Sequence, residues 1–153
     1  MIRPTQPRSA PRHVRGIGLI EVLVSVLVLA VGLLGIAAMQ SMALRGGQGS
    51  LESSQAVMQS SAIIEAIRAN KANAGNYNMA SMACAAPGAG TLAQNDLRQW
   101  VLDLKSTIGA GALDTTTCGQ VTGCPNACVI TVRWDDTRAG GATTRTVVTG
   151  TRI

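Results

Sequence analysis

The hydrophobic pattern is most continuous from Ile17 to Met39, which reads IGLIEVLVSVLVLAVGLLGIAAM: 23 residues with one charge, Glu21. At a helical rise of about 1.5 Å per residue this run spans roughly 34 Å, enough to cross a hydrocarbon core of about 30 Å. Residues Met1 to Arg15 carry three Pro, Arg3, Arg8, Arg12, Arg15 and His13, with no acid and no apolar period, a composition that builds no packed element. Arginines before an apolar helix place the N-terminus on the cytoplasmic side and the remainder outside, by the positive-inside rule. A secretory signal has the same basic and apolar order, but its apolar region is about 7–15 residues, shorter than this run.

Beyond the run, the three glycines of Arg45-Gly46-Gly47-Gln48-Gly49 each weaken a helix by about 1 kcal/mol relative to Ala and mark a soft point. Helical periodicity resumes at Leu51, with Val57, Ile63, Ile64 and Ile67 assigned to one face and Glu52, Gln55, Gln59 and Arg68 elsewhere, and ends between Asn70 and Gly75. Asn76 to Asn95 reads as a loop carrying Cys84. Leu97, Trp100, Val101, Leu104 and Ile108 then recur at helical spacing, with Asn95 or Asp96 as cap and Gly109 as stop. Cys118 to Cys128 reads as a turn-rich segment. Ile130, Val132 and Trp134 alternate with Val129, Thr131 and Arg133 as in a half-buried strand, Asp135 to Ala142 turns the chain, and Thr143 to Ile153 returns as a second strand. The expected fold is α+β: a long N-terminal helix packed through its amphipathic second half on a small antiparallel sheet with one extra helix. Its parts are a basic leader over 1–16, a membrane-spanning helix over 17–39, its continuation over 40–75 and a small globular domain over 76–153.

Composition narrows the picture. With no Phe and an aromatic content of 2%, the globular part must rely on aliphatics and two Trp, and so on covalent staples. Cys84, Cys118, Cys124 and Cys128 supply two disulfides in an oxidising compartment, with three connectivities open and Cys84 joined to one of the later three. Their spacing lacks the paired knuckles of a zinc ribbon, so no metal is expected. The net charge of +5 suggests nucleic acid, yet four of the positive charges belong to the leader, and without it nine Lys and Arg face eight Asp and Glu. Arg133, Arg138, Arg145 and Arg152 are the one candidate basic group, read as separate solvated side chains rather than a DNA-binding face. Enzyme chemistry finds no pattern: His13 is the sole His, no phosphate loop or Cys-His pair is present, and Asp135 and Asp136 read as a hairpin turn. No cofactor is expected.

A carboxylate within an apolar helix costs about 2.5–3.5 kcal/mol on insertion scales at mid-helix, so Glu21 needs a purpose. Cleavage after Gly16 supplies one, because it leaves a cationic amino terminus at Ile17 that Glu21 of a neighbouring subunit can neutralise in a helical stack, fixing axial register. Gly32 and Gly35 have two compatible readings, a notch for close helix approach and a locally weakened helix.

Gly16-Ile17-Gly18-Leu19-Ile20-Glu21-Val22, followed by the apolar helix, resembles the class III signal of type IV prepilins and type II secretion pseudopilins. The resemblance implies cleavage by a prepilin peptidase between Gly16 and Ile17, N-methylation of Ile17 and a role for Glu21 in assembly. Ile17 stands where that family usually has Phe, and Gly18 where it usually has Thr. Within the family, Val31 to Gly35, Ile67 to Asn70 and Val132 to Asp136 are similar to minor pilins. The implied partners are other minor pilins and the major pilin, the prepilin peptidase, inner-membrane lipid before assembly and a tip adhesin. The implied location is the inner membrane, single-pass, and then an extracytoplasmic filament. Type II secretion is the sibling role, and DNA capture by the exposed domain the alternative of another class.

Overall fold

In the computed structural model, Gly16 and residues 18–153 are described; Met1 to Arg15 and Ile17, and with them most of the expected leader, lie outside the described residues. By contacts the chain falls into two compact units, Met1–Gln40 and Ser41–Ile153. Helix α1, Leu19–Ala69, contributes to both.

In the first unit α1 begins directly after Gly18, where the N–H of Glu21 donates to the Gly18 carbonyl at 2.9 Å. The straight-chain and aliphatic residues Leu, Val and Ala sustain a helix whose backbone polar groups are paired internally, the arrangement an apolar medium requires.

In the second unit α1 continues from Ser41 to Ala69 without interruption through Arg45-Gly46-Gly47-Gln48-Gly49, so the soft point is a place of lowered helix propensity inside a regular helix. Its hydroxyls are satisfied locally: Ser53 donates to the Gly49 carbonyl at 2.7 Å and the buried Ser60 to the Ala56 carbonyl at 2.8 Å. The buried face is Ala56, Ser60, Ile63, Ile64 and Ile67. Val57, expected on that face, is exposed, because Ala56 one position earlier occupies the stripe that continues into Ile63 seven residues on and Ile67 four beyond that.

After a 3-10 helix over Lys71–Tyr77, helix α2 runs from Leu92 to Thr107. Its cap is Thr91, not Asn95 or Asp96: the Thr91 side chain accepts from the N–H of Gln94, and the Gln94 side chain accepts in return from the N–H of Thr91. This reciprocal box satisfies two donors that an open helix end leaves unpaired. Leu97, Trp100, Val101 and Leu104 form the buried stripe of α2.

Three strands follow, β1 Cys118–Thr122, β2 Cys128–Trp134 and β3 Arg145–Thr151, in antiparallel order β1-β2-β3. Strand β1 corrects the turn-rich reading of Cys118 to Cys128. Its inward positions are Gly119 and Val121, and a Cβ at Gly119 would lie 2.6 Å from the Trp100 ring, so glycine there makes room for the core indole. In β2 burial alternates strictly, with Cys128, Ile130, Val132 and Trp134 inward. These residues, the α2 stripe and the α1 isoleucines make one core with Tyr77 and Ile108. Segment 79–83 runs along the free side of β1, its Met79 N–H donating to the Val121 carbonyl at 2.8 Å and Ala83 bridging Gly119.

The structure joins Cys84 to Cys118 and Cys124 to Cys128, with sequence separations of 34 and 4. Cys118 is opposite Arg133 in the register, and Nη2 of Arg133 lies 3.5 Å from its sulfur. The first disulfide thus fastens the 79–84 segment to the sheet, and the second closes the turn between β1 and β2.

Asp114 organises the loop from α2 to β1. It accepts from the N–H and Oγ1 of Thr116, both at 2.7 Å, from the Ala110 N–H at 3.2 Å and from the Thr117 hydroxyl. Partial burial alone would raise its pKa, but the bonds from Thr117, Thr116 and Ala110 outweigh it and hold the carboxyl far below the usual carboxylate range. A depressed folded-state pKa gives stability that is complete above the unfolded value near 4 and is lost as pH falls through the folded value. Asp114→Asn should therefore lower stability by about 1–2 kcal/mol at neutral pH, with the difference from wild type shrinking below about pH 4. Urea titrations at stepped pH measure it; a constant difference down to pH 2 would contradict the role given to the carboxylate.

Candidate assembly helix

The first half of α1 has no cover among the described residues. Every described residue from Gly18 to Gln48 is exposed, including Leu19, Ile20, Leu23, Val26 and Leu27 along the first turns and Leu33, Leu34 and Ile36 further on. Its most apolar 18-residue window has a mean hydropathy of 2.8, long and apolar enough to cross a membrane. Each such side chain moved from water to an apolar setting contributes about 1.5–3 kcal/mol, so this helix is built to be surrounded by lipid or by other helices.

Glu21 lies in the first turn of α1, where the exposed amide dipoles favour a negative charge. Its side chain is exposed and has no ion-pair partner among the described residues. Gly16 is exposed, and Ile17 lies outside the described residues. A Cβ at Gly32, Gly35, Gly46 or Gly47 would meet nothing within 4 Å. No packing among the described residues requires these four glycines, and each lowers helix propensity by about 1 kcal/mol.

The four candidate arginines do not form one open basic face. Arg138 pairs with Glu52 at 3.4 Å and donates to the Ile108 carbonyl at 2.6 Å, while Arg145 pairs with Asp136 at 2.7 Å and lies over the Trp134 ring. Arg133 is held against the Cys84–Cys118 disulfide, which leaves Arg152 as the member with no ion pair or disulfide contact among the described residues. Asp136 lies in the turn between β2 and β3, as expected, and is buried there. Trp134 is tied to α1 through its Nε1, which donates to Glu52 at 2.9 Å. Sequence reading assigned neither contact: Glu52 and Trp134 stand 82 positions apart, and Asp136 meets Arg145 nine positions on, across the turn.

Comparison with the curated proteins and with the solved structures found no significant match. Residues 11–37 match the family model described as the prokaryotic N-terminal methylation motif, a stretch that contains Gly16, Ile17, Glu21, Gly32 and Gly35. The chain thus carries the N-terminal methylation motif, the class III signal of type IV pilin-like precursors.

Proposed function

We propose that this chain is a minor pilin resembling PilV, a structural subunit that takes part in priming a type IV pilus with other minor pilins and so acts in pilus-dependent motility and adhesion. The observation that carries the reading is a coincidence of two stretches. The methylation motif over residues 11–37 overlaps a helix whose residues are all exposed as far as Gln48. A prepilin peptidase cuts after Gly16, Ile17 becomes the methylated terminus, and Glu21 meets the terminus of a neighbour. Before assembly the helix rests in the inner membrane with the second unit outside, the oxidising side that suits two disulfides. PilV is favoured by Val31 to Gly35, Ile67 to Asn70 and Val132 to Asp136. The last of these includes Trp134 and Asp136, both buried, so this similarity falls on residues that fix the packing of the domain.

Mass spectrometry of the protein extracted from membranes of cells with an active prepilin peptidase should find an N-terminus at Ile17 carrying one methyl group. An intact Met1 terminus in those cells would refute the assignment. Deleting the gene and scoring surface pili against secreted enzymes separates the pilus role from that of a type II secretion pseudopilin, which has the same motif.

A further inference from the structure

Beside the sole buried residue in the first part of α1, Gly49, the second unit holds a pocket of about 390 Å³. Its wall includes Arg45, Ser50 and Ser53 from α1 and Asp136 and Arg145 from the sheet side. The volume falls in the range of small-ligand sites, about 300–1,000 Å³. Asp136 is 3% exposed. Its Oδ2 pairs with Arg145, whereas Oδ1 faces Gly49 with no hydrogen-bond partner among the described residues. Arg45 has no acidic partner among the described residues. Two guanidiniums and one carboxylate therefore share the wall, an excess of one positive charge, and because Oδ1 is itself closed off against Gly49 the pocket presents guanidinium donors. A ligand that fits has an oxyanion for the arginines.

Arg45 is the first charged residue after Glu21. It follows Met39, the end of the apolar run, by six residues, about 9 Å at the helical rise, at the outer edge of a headgroup layer about 5–8 Å deep. We propose that this pocket binds a phosphate ester, and that its source is the headgroup of an anionic phospholipid such as phosphatidylglycerol, with Arg45 and Arg145 on the phosphate. The lipid source rests on the membrane reading given above; the oxyanion chemistry does not. A lipid held there retains the unassembled subunit at the outer face of the membrane and is released when a filament takes the helix.

The test uses the full chain, purified in neutral detergent and offered equal phosphatidylglycerol and phosphatidylcholine, with retained lipid counted by native mass spectrometry. Wild type should prefer phosphatidylglycerol by about tenfold, as one or two charge-assisted bonds give. Arg45→Gln should abolish the preference, and so should Gly49→Ala, whose Cβ would stand 3.4 Å from Ala139, Arg145 and Asp136 of the pocket wall. Arg98→Gln, away from the pocket, should leave it intact. Equal retention of the two lipids by wild type, or a preference untouched by both pocket variants, overturns the proposal. Displacement of the lipid by millimolar inorganic phosphate keeps the oxyanion site but overturns the lipid as its source. Flotation of the chain with membranes tests the bilayer reading separately. Flotation without lipid preference overturns the headgroup site alone, and failure to float overturns both.

Discussion

Removing the Cys84–Cys118 disulfide by Cys84→Ser with Cys118→Ser should destabilise the domain by about 4 kcal/mol, against about 2 kcal/mol for Cys124→Ser with Cys128→Ser. The difference follows from loop length in the chain-entropy account, since the first bond spans 34 positions and the second 4. The position of the first bond adds to it. Cys118 is fully buried and begins β1, and Cys84 ends the segment whose Ala83 pairs with Gly119, so breaking the bond frees a stretch held otherwise by few backbone contacts. Arg133 packs against both sulfurs and would lose that contact. For a domain whose total stability is about 5–15 kcal/mol, the first loss takes a large share of the folded margin. Urea unfolding of the full chain in detergent, followed by the fluorescence of Trp100 and Trp134, measures both variants on one scale. Equal midpoints for the two pairs would show that the long-loop bond has no special weight.

What could be read from the sequence was whatever repeats along it. The apolar run of α1, the α2 stripe of Leu97, Trp100, Val101 and Leu104, and the alternation in β2 all carry a period, and each became the element that the period implies. Strand β1 has no such period because its inward positions are Gly119 and Val121, and Gly119 is small on account of Trp100, a residue on another element. The α2 start was legible in Thr91-Leu92-Ala93-Gln94, a capping box, but Asn95 and Asp96 stand nearer the apolar stripe and compete for the assignment. Val57 and Ala56 are adjacent but about 100° apart around the helix, so which is buried depends on where the rest of the domain packs against α1, and the sequence alone does not supply that.

The arginines teach a different lesson. Arg138, Arg145 and Arg133 look alike in sequence, yet one pairs with Glu52, one with Asp136 and one lies against a disulfide. Charge partners more than a few residues apart depend on the sheet register, here Trp134 opposite Arg145 and Cys118 opposite Arg133, which no local pattern encodes. The residues proposed for processing and assembly are the opposite case. Gly16 and Glu21 draw notice through the apolar run around them, and the motif match falls on the same stretch.

Glu21→Val should leave the subunit processed and inserted while nearly abolishing its entry into filaments. Within the subunit little is lost: Glu21 is exposed, its carboxylate has no ion-pair partner among the described residues, and its backbone bond to Gly18 does not involve the side chain. The helix-dipole contribution of an acid in the first turn is about 0.3–1 kcal/mol, and in the membrane it is offset by removal of a charge that costs about 2.5–3.5 kcal/mol at mid-helix. Cleavage should persist, because Gly16 and the basic residues before it are unchanged. In the filament the balance reverses. The cationic terminus at Ile17 would be buried without its counter-charge, at a cost of about 3–5 kcal/mol, equivalent to about a hundredfold to a few thousandfold in subunit incorporation. Glu21→Asp keeps the charge but shortens its reach, and Glu21→Gln keeps the shape without the charge; incorporation should fall in the order Asp, Gln, Val if pairing is electrostatic. The measurement compares processed subunit in membranes with subunit in sheared filaments for each variant. Equal incorporation of Glu21→Val and wild type would remove the pairing role and leave α1 as a membrane anchor whose first-turn acid serves the monomer alone.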